Sequence, residues 1–406
     1  MEINPPTFYK HLLIMKHLII IILLILAVLP MKANDGSYFT SGNHLVPLQE
    51  THISVKKEIL TIHIGDDGYA NVDVYYEFYN PGNDYKTIQM GFEADPPYNA
   101  DYTFYPDGKH PYINNFTVEM NSKTLTYQNA VALPDIGGGM KTINLNKWKY
   151  DENEADCQLK NVNTGEYTQF AYVYYFDATF KPGINKIHHT YSYQLSVVVG
   201  TSWLLNYKLS PAGRWANKRI DDFTLVIDAK NTAKHFIISK NIFGKENHFV
   251  KKSGEYKIRT LPQGLYTTEE DWEIALRNGV IEMHIKNFTP NEENELSIAS
   301  ADSYYSFNSP DNKYHYGAFY DRSTSAYVYM ADNTENVVPS DKNFRQRICR
   351  NLPFAHRGHV FKDKQLKSFF EKQFWYMPNP NYKDDTSNFT ESDKNVMKHK
   401  IGVFDD

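Results

Sequence analysis

Alternation of apolar and polar residues constrains this chain more than any other feature. Val72, Val74, Tyr76 and Phe78 fall on one side of an extended strand, and Asp73, Tyr75 and Glu77 on the other. That pattern suits a strand with one face in a core and one in water. Before it, Ile53 and Val55 are followed by Ile59, Thr61 and His63 in one phase, or Leu60, Ile62 and Ile64 in the other. A β-bulge near Lys57 accommodates the change. Gly65-Asp66-Asp67-Gly68 is hairpin-turn chemistry. After the turn sequence Asn80-Pro81-Gly82-Asn83-Asp84, alternation resumes at Ile88, Met90 and Phe92. The economical reading is a three-stranded antiparallel meander.

The signal recurs down the chain. Phe116–Met120 and Lys123–Tyr127 flank Asn121-Ser122 as a hairpin. Residues 132–165, with Gly137-Gly138-Gly139 at one end, have weak periodicity and read as an insertion. Phe170–Phe180 and Ile184–Tyr193 are strong strands around Lys181-Pro182-Gly183. Later strands are expected at Phe223–Ile227, His235–Ile238, Tyr256–Arg259, Val280–Ile285 and Glu295–Ile298. Thr268-Glu269-Glu270-Asp271-Trp272 reads as the opening of a short helix, since threonine caps and acids suit a helix start. The sum predicts a mainly β chain: one or two antiparallel β-sandwich domains followed by a small α-helical C-terminal module. The 31 tyrosines fit half-buried strands.

The tail changes period. Ser340 or Asp341 can cap a helix whose Phe344 and Ile348 share a face. Pro353 is expected to end it, and Gly358 marks a turn or a close backbone approach. Asp363 caps a second helix carrying Leu366, Phe369, Phe370 and Phe374, and Pro378 and Pro380 break the chain after it. Thr390, with Asp393 three residues on, opens a third. Arg350-Asn351, Phe354-Ala355, Gly358, Phe361, Leu366, Phe369-Phe370, Trp375-Tyr376 with Pro378, and Glu391 with Asn395 follow one another in a specific order and spacing. In this, residues 341–400 resemble the YARHG domain of bacterial extracellular proteins. The family's Arg-His pair is inverted here, as His356-Arg357, and His359 stands where the family has an aromatic. Part of the body, residues 34–300, resembles an uncharacterised family of secreted bacterial β-proteins. The resemblance is carried by Asn34-Asp35-Gly36, Val72-x-Val74-x-Tyr76-x-Phe78-x-Asn80, Pro96-Pro97 and His189-x-Tyr191. It implies an envelope address and no activity.

Lys16-His17, the apolar run Leu18–Leu29 and Pro30-Met31-Lys32-Ala33 have the make-up of a secretory signal, with Met15 an alternative start. The run is too short to span a bilayer as a helix. The expected layout is therefore a signal peptide (1–33), a β-sandwich body with insertions (34–300), a connecting segment (301–339) and a small helical YARHG-like domain (340–406). Membrane contact is expected only through the signal peptide. The formal charge of −5 is uneven: residues 340–406 hold 13 Lys and Arg against 9 Asp and Glu, so the body is strongly acidic. That argues against nucleic acid as a partner and permits the tail to dock on the body. Cys157 and Cys349 either pair or are separate buried thiols, and neither has the setting of a reactive cysteine.

Catalytic motifs are missing: there is no His-Glu-x-x-His, Gly-x-Ser-x-Gly or phosphate-binding loop. Strand neighbours His188 and His189 face opposite sides and cannot chelate one ion. His356-x-x-His359 has no Glu or Cys at ligand spacing, so no metal or other cofactor is expected. Candidate ligand-binding residues are Arg350, His356, Arg357 and His359, a small basic site for an anionic or sugar ligand. Asn351, Phe354, Ala355, Gly358, Phe361, Trp375, Tyr376 and Pro378 are read as structural. The expectation is a non-enzymatic secreted protein of the periplasm or cell surface that binds a surface glycan, peptidoglycan or an envelope protein. A carbohydrate-active or peptidoglycan-processing enzyme, with two acids facing across a cleft, and an envelope assembly subunit are the alternatives.

Overall fold

The structure is a computed structural model that describes residues 41–42, 45–47, 52–65, 68–96, 104–134, 140–151, 158–195, 203–230, 232–261, 270–290, 295–301, 317–321, 326–331, 341–389 and 391–398. The leader, Asn34-Asp35-Gly36, Asp66-Asp67, the triple glycine, Cys157, Thr268 and Thr390 lie outside the described residues.

The first strands are β1 (Ser41–Gly42), β2 (Leu45–Pro47), β3 (Ser54–Ile64), β4 (Tyr69–Asn80), β5 (Lys86–Ala94), β6 (Ile113–Met120) and β7 (Lys123–Thr124). Then come β8 (Gln128–Pro134), β9 (Met140–Thr142), β10 (Trp148–Asp151), β11 (Gln158–Asn161), β12 (Tyr167–Thr168), β13 (Ala171–Phe180) and β14 (Gly183–Gln194). The last are β15 (Leu204–Tyr207), β16 (Ile220–Asp228), β17 (Ala233–Ser239), β18 (Val250–Leu261), β19 (Asp271–Phe288), β20 (Leu296–Ser300), β21 (Gly317–Asp321) and β22 (Ala326–Ala331). Helices α1 (Lys342–His356), α2 (Lys364–Glu371) and α3 (Glu391–Lys398) follow. The large sheet runs β1-β15-β20-β17-β19-β16-β3-β4-β14-β6-β7, with β18 also on β19. A second sheet runs β2-β5-β13-β8-β9, and β10-β11-β12 and β21-β22 form small sheets. The chain is thus mainly β with a small helical module at its end, as the alternation predicts.

The bulge is where the phase change puts it: the β3–β4 register shifts between Val55 and Lys57. As a result Glu58 points into the core, wholly buried beside Tyr76, and burial pushes its carboxyl well above the usual carboxylate range. The expected meander does not form. β4 and β3 pair, but β5 leaves for the second sheet and pairs with β13 and β2. β13 and β14 likewise separate at residues 181–183, β14 pairing with β4 and β6. Both crossings are pinned by one buried side chain. The Asn80 amide donates to the carbonyls of Asp84 (3.0 Å) and Phe180 (3.2 Å), satisfying groups that a hairpin ladder would otherwise pair. Between the two sheets lies one continuous core that includes Tyr76, Phe78, Phe92, Phe180, Tyr193 and Trp215.

The longest strand, β19, bends. Its second half pairs with β16 and its first half with β17, while β18 follows it from Asp271 past the bend to Glu282. The break falls at Asn278, which has φ 50°, and Gly279. A Cβ on Gly279 would collide with the Ser253 carbonyl and Gly254, and one on Gly254 with the Asn278 and Arg277 carbonyls. Two strands therefore pass backbone against backbone where only glycine fits. Asp271 and Trp272 belong to this strand, not to a helix. Along Asp271–Arg277 every residue is buried, the charged Asp271, Glu273 and Arg277 included. Trp272, Ile274 and Leu276 face the main core. Ala275, on the opposite face, belongs to a second core built by the C-terminal module.

Candidate functional site

The structure offers two surfaces of interest on the large sheet: a seat occupied by the module, and an open polar face. The module starts at α1. Asp341 caps it by accepting from the backbone of Asn343 (2.8 Å) and Phe344 (3.4 Å). Pro353 does not end the helix, contrary to expectation; it lies inside it, and the helix runs on to His356. The buried proline ring and its neighbours Leu352 and Ala355 belong to a packed interior, which outweighs the lost hydrogen bond. What stops α1 is Gly358, at φ 88°. Its N–H donates to the Ala355 carbonyl (2.9 Å) and that of His359 to Phe354 (3.0 Å), a Schellman closure. Asp363 caps α2 through Gln365 and Leu366. Ile348, Leu352, Ala355, Phe361, Phe370, Trp375 and Tyr376 fill the module's interior.

The seat is built by alternate residues of β17, β18 and β19. Arg277 donates to the Met377 carbonyl, and Lys257 Nζ to that of Tyr376 (2.6 Å). The Arg277 guanidinium lies against Gly358, where any Cβ would collide with it. Pro378 is exposed, and it disfavours helix at Met377, the residue whose carbonyl meets Arg277. Beside them Glu273 is fully buried between His235 (2.7 Å) and Arg259 (2.5 Å). Burial pushes its carboxyl up, yet the His235 and Arg259 contacts hold it below the ordinary value. Arg259 in turn lies over the Phe374 ring at 4.3 Å. At the seat the body cations Arg277 and Lys257 meet backbone carbonyls of the tail.

The four candidate ligand residues have different surroundings. Arg350 is exposed on α1, and its guanidinium makes no hydrogen bond or ion pair with a described residue. The His356 ring packs against Trp375 at 4.5 Å. Arg357 is a clamp: it donates to the carbonyls of Pro353 (3.0 Å) and Asn388 (3.2 Å), pairs with Asp393 (2.6 Å) and lies over Phe389. His359 Nδ1 is 2.6 Å from Asp384, and its backbone carbonyl accepts from the Tyr376 hydroxyl. Asn351 donates back to the Arg347 carbonyl within α1, and Phe354 packs on Phe389. Cys349 is buried in α1.

The open face lies at the other end of the sheet, on β4, β14 and β6. Asp73, Tyr75, Glu119, Lys186 and His188 line a shallow trough of about 430 Å³, with Asn121 and Ser122 of the β6–β7 turn at its rim. His188 Nε2 is 2.9 Å from Asp73, and the Tyr75 hydroxyl donates to Glu77 (2.8 Å). His189, its neighbour, is buried among Tyr76, Phe92 and Tyr191, as strand geometry requires. The described carboxylates whose pKa values are raised, chiefly by burial, are Glu58, Glu93 and Glu295. None lines the trough; Glu93 is paired with Arg214 and Glu295 with Ser210. Among the described residues no three His, Cys, Asp or Glu side chains are placed to hold a metal ion. The seat and the trough both escaped the sequence reading, since their residues come from strands far apart in the chain.

Fold and seat together define a mainly β protein with a helical C-terminal module packed onto its sheet. Residues 325–401, which include that module, match the YARHG domain family. No curated protein matches the chain. Among solved structures, a candidate nutrient-binding protein from Legionella pneumophila aligns at TM-score 0.45 and 17% identity, over 88% of this chain and 96% of that one. An M1 zinc metallopeptidase from Deinococcus radiodurans aligns at TM-score 0.23 and 7% identity, over 75% of this chain and 54% of that one. The baculovirus protein P35 aligns at TM-score 0.23 and 12% identity, over 63% and 98%.

Proposed function

We propose that this chain is a non-catalytic binding protein of the bacterial envelope, exported by a leader at residues 1–33. In this reading the YARHG module is a fixed structural part of the protein, and its partner is a glycan, peptidoglycan or an envelope protein. The observation that carries the reading is how the module's motif residues are used. Gly358 seats Arg277, the Tyr376 and Met377 carbonyls accept from Lys257 and Arg277, and Trp375 and Phe361 are buried. Such residues hold the module in place and leave recognition to exposed groups, Arg350 on α1 and the open sheet face. Among the described residues no helix is long and apolar enough to cross a membrane.

The test is co-sedimentation of the chain from Asn34 onward with purified peptidoglycan sacculi and with envelope extract, followed by assay of the supernatant for released fragments. Capture without release is expected. Release of soluble product that disappears with a single substitution would overturn the reading in favour of an enzyme.

A further inference from the structure

The large sheet has one outer face with two fates. At β17, β18 and β19 the YARHG module covers it. At β4, β14 and β6 the trough lies open. The trough is laid out in a row: His188 stands directly opposite Tyr75 on one neighbouring strand and Glu119 on the other. A row three strands wide spans roughly 10 Å at ordinary strand spacing, about the length of a disaccharide. The row carries two flat rings beside a carboxylate. Asp73, bonded to His188, and Lys186 flank it. The β6–β7 turn that forms the rim is tied down by side-chain hydrogen bonds. Asn121 and Ser122 hold positive φ (50° and 66°), and the Asn121 side chain bridges to Asn185 and to the Lys186 N–H.

The chemistry selects among ligands. One lysine against two carboxylates disfavours phosphate and other anions. No aliphatic side chain lines the trough, which disfavours a lipid or other apolar ligand. β4 and β14 are each paired on both sides, and β6 is paired with β14 and, at Glu119 and Met120, with β7, so among the described residues no open strand edge lies at the trough for a peptide. Carboxylate, amide, hydroxyl and imidazole groups beside two ring faces match a ligand dense in hydroxyls with flat C–H faces. We propose that this trough binds a neutral saccharide, with Asp73, Glu119 and Asn121 bonding hydroxyl groups and Tyr75 and His188 lying against sugar rings. The proposal rests on the envelope-binding reading and gives its ligand class.

Calorimetric titration of the chain from Asn34 with neutral tetrasaccharides tests it: β-1,4-linked glucose, N-acetylglucosamine and mannose, and α-1,4-linked glucose. Saturable binding of at least one is expected. Affinity should fall about tenfold, or 1.4 kcal/mol, in His188→Ala and in Asp73→Asn, and stay unchanged in Lys367→Ala, on the exposed side of α2. Binding by no member of the panel overturns the proposal, as does binding that survives both trough substitutions. So does a trough that takes a linear diamine in preference to every sugar. Capture by sacculi without sugar binding would overturn this site and leave the envelope reading standing; loss of both would end both.

Discussion

At the scale of single residues, glycine and histidine carry the most specific demands. Gly358 meets two at once: it closes α1 with φ 88°, and it leaves room for the Arg277 guanidinium. Gly358→Ala should therefore cost about 1–3 kcal/mol from backbone strain alone, and more through the displaced arginine. A lower urea midpoint, with faster proteolysis inside residues 342–398, is the expected readout. His110 is the second case. Its Nε2 bonds the Asp95 carbonyl (3.0 Å), its Nδ1 accepts from the Tyr112 N–H (3.1 Å), and burial lowers its pKa to about 4. Because the folded pKa lies below that of the unfolded chain, protonation favours unfolding. The stability linked to His110 is complete above about pH 6.5 and is lost as pH falls toward 4, at most about 3 kcal/mol in all. Chemical denaturation across that range should show the slope, and His110→Gln should flatten it. The tripeptide Asn-Phe-Thr recurs at residues 115–117, 287–289 and 388–390, and it has a structural account at two of these sites. Asn115 and Asn287 hold positive φ, which asparagine tolerates well, just before the buried Phe116 and Phe288.

At the scale of elements, most strands were legible and several partnerships were not. Period-two alternation marks a strand wherever one face meets water, so β4, β6, β13, β14 and β16 could be read directly. Pairing is a non-local property. The same Asn-Pro-Gly and Lys-Pro-Gly signals that suggest hairpins serve here as crossings between sheets, because Asn80 satisfies the backbone at both corners. The first half of β19 misled for another reason. Its acidic lead-in imitates a helix start, while its polar alternate residues face a docked module instead of solvent. In the module, caps and apolar faces were readable, but Pro353 was not, since tertiary packing overrides a local helix breaker. Charge and motif mark out the candidate ligand residues, but local sequence does not show that Arg357 and His359 have acidic partners at Asp393 and Asp384. The bend in β19 yields its own prediction. Gly279→Ala or Gly254→Ala would drive a methyl group into the opposing backbone, so either should sharply reduce the yield of soluble protein. An alanine at Gly165, where nothing lies within 4 Å but φ is 75°, is the control that isolates backbone strain from collision.

At the scale of the molecule, the module and the body share one strand. β19 joins the main core through Trp272, Ile274 and Leu276 and the module core through Ala275, so the two cores should melt together. Scanning calorimetry of the chain from Asn34 is expected to show one transition over the body and module. The double variant Arg277→Ala with Lys257→Ala removes both side-chain contacts to the tail carbonyls and should split it, the module melting first. A double variant that still melts in one step would mean that the remaining contacts, apolar packing and Arg259 over Phe374, hold the seat. The same arrangement bears on how the protein is made. Synthesis runs from the N-terminus, and domains generally fold as they emerge. The β17–β18–β19 face, with buried Ile237, Glu273 and Ala275, must then wait uncovered until residues 342–398 arrive. A chain cut short before α1 would present that sticky, unmated face to its neighbours, so the module, translated after the body, acts as a quality seal on it.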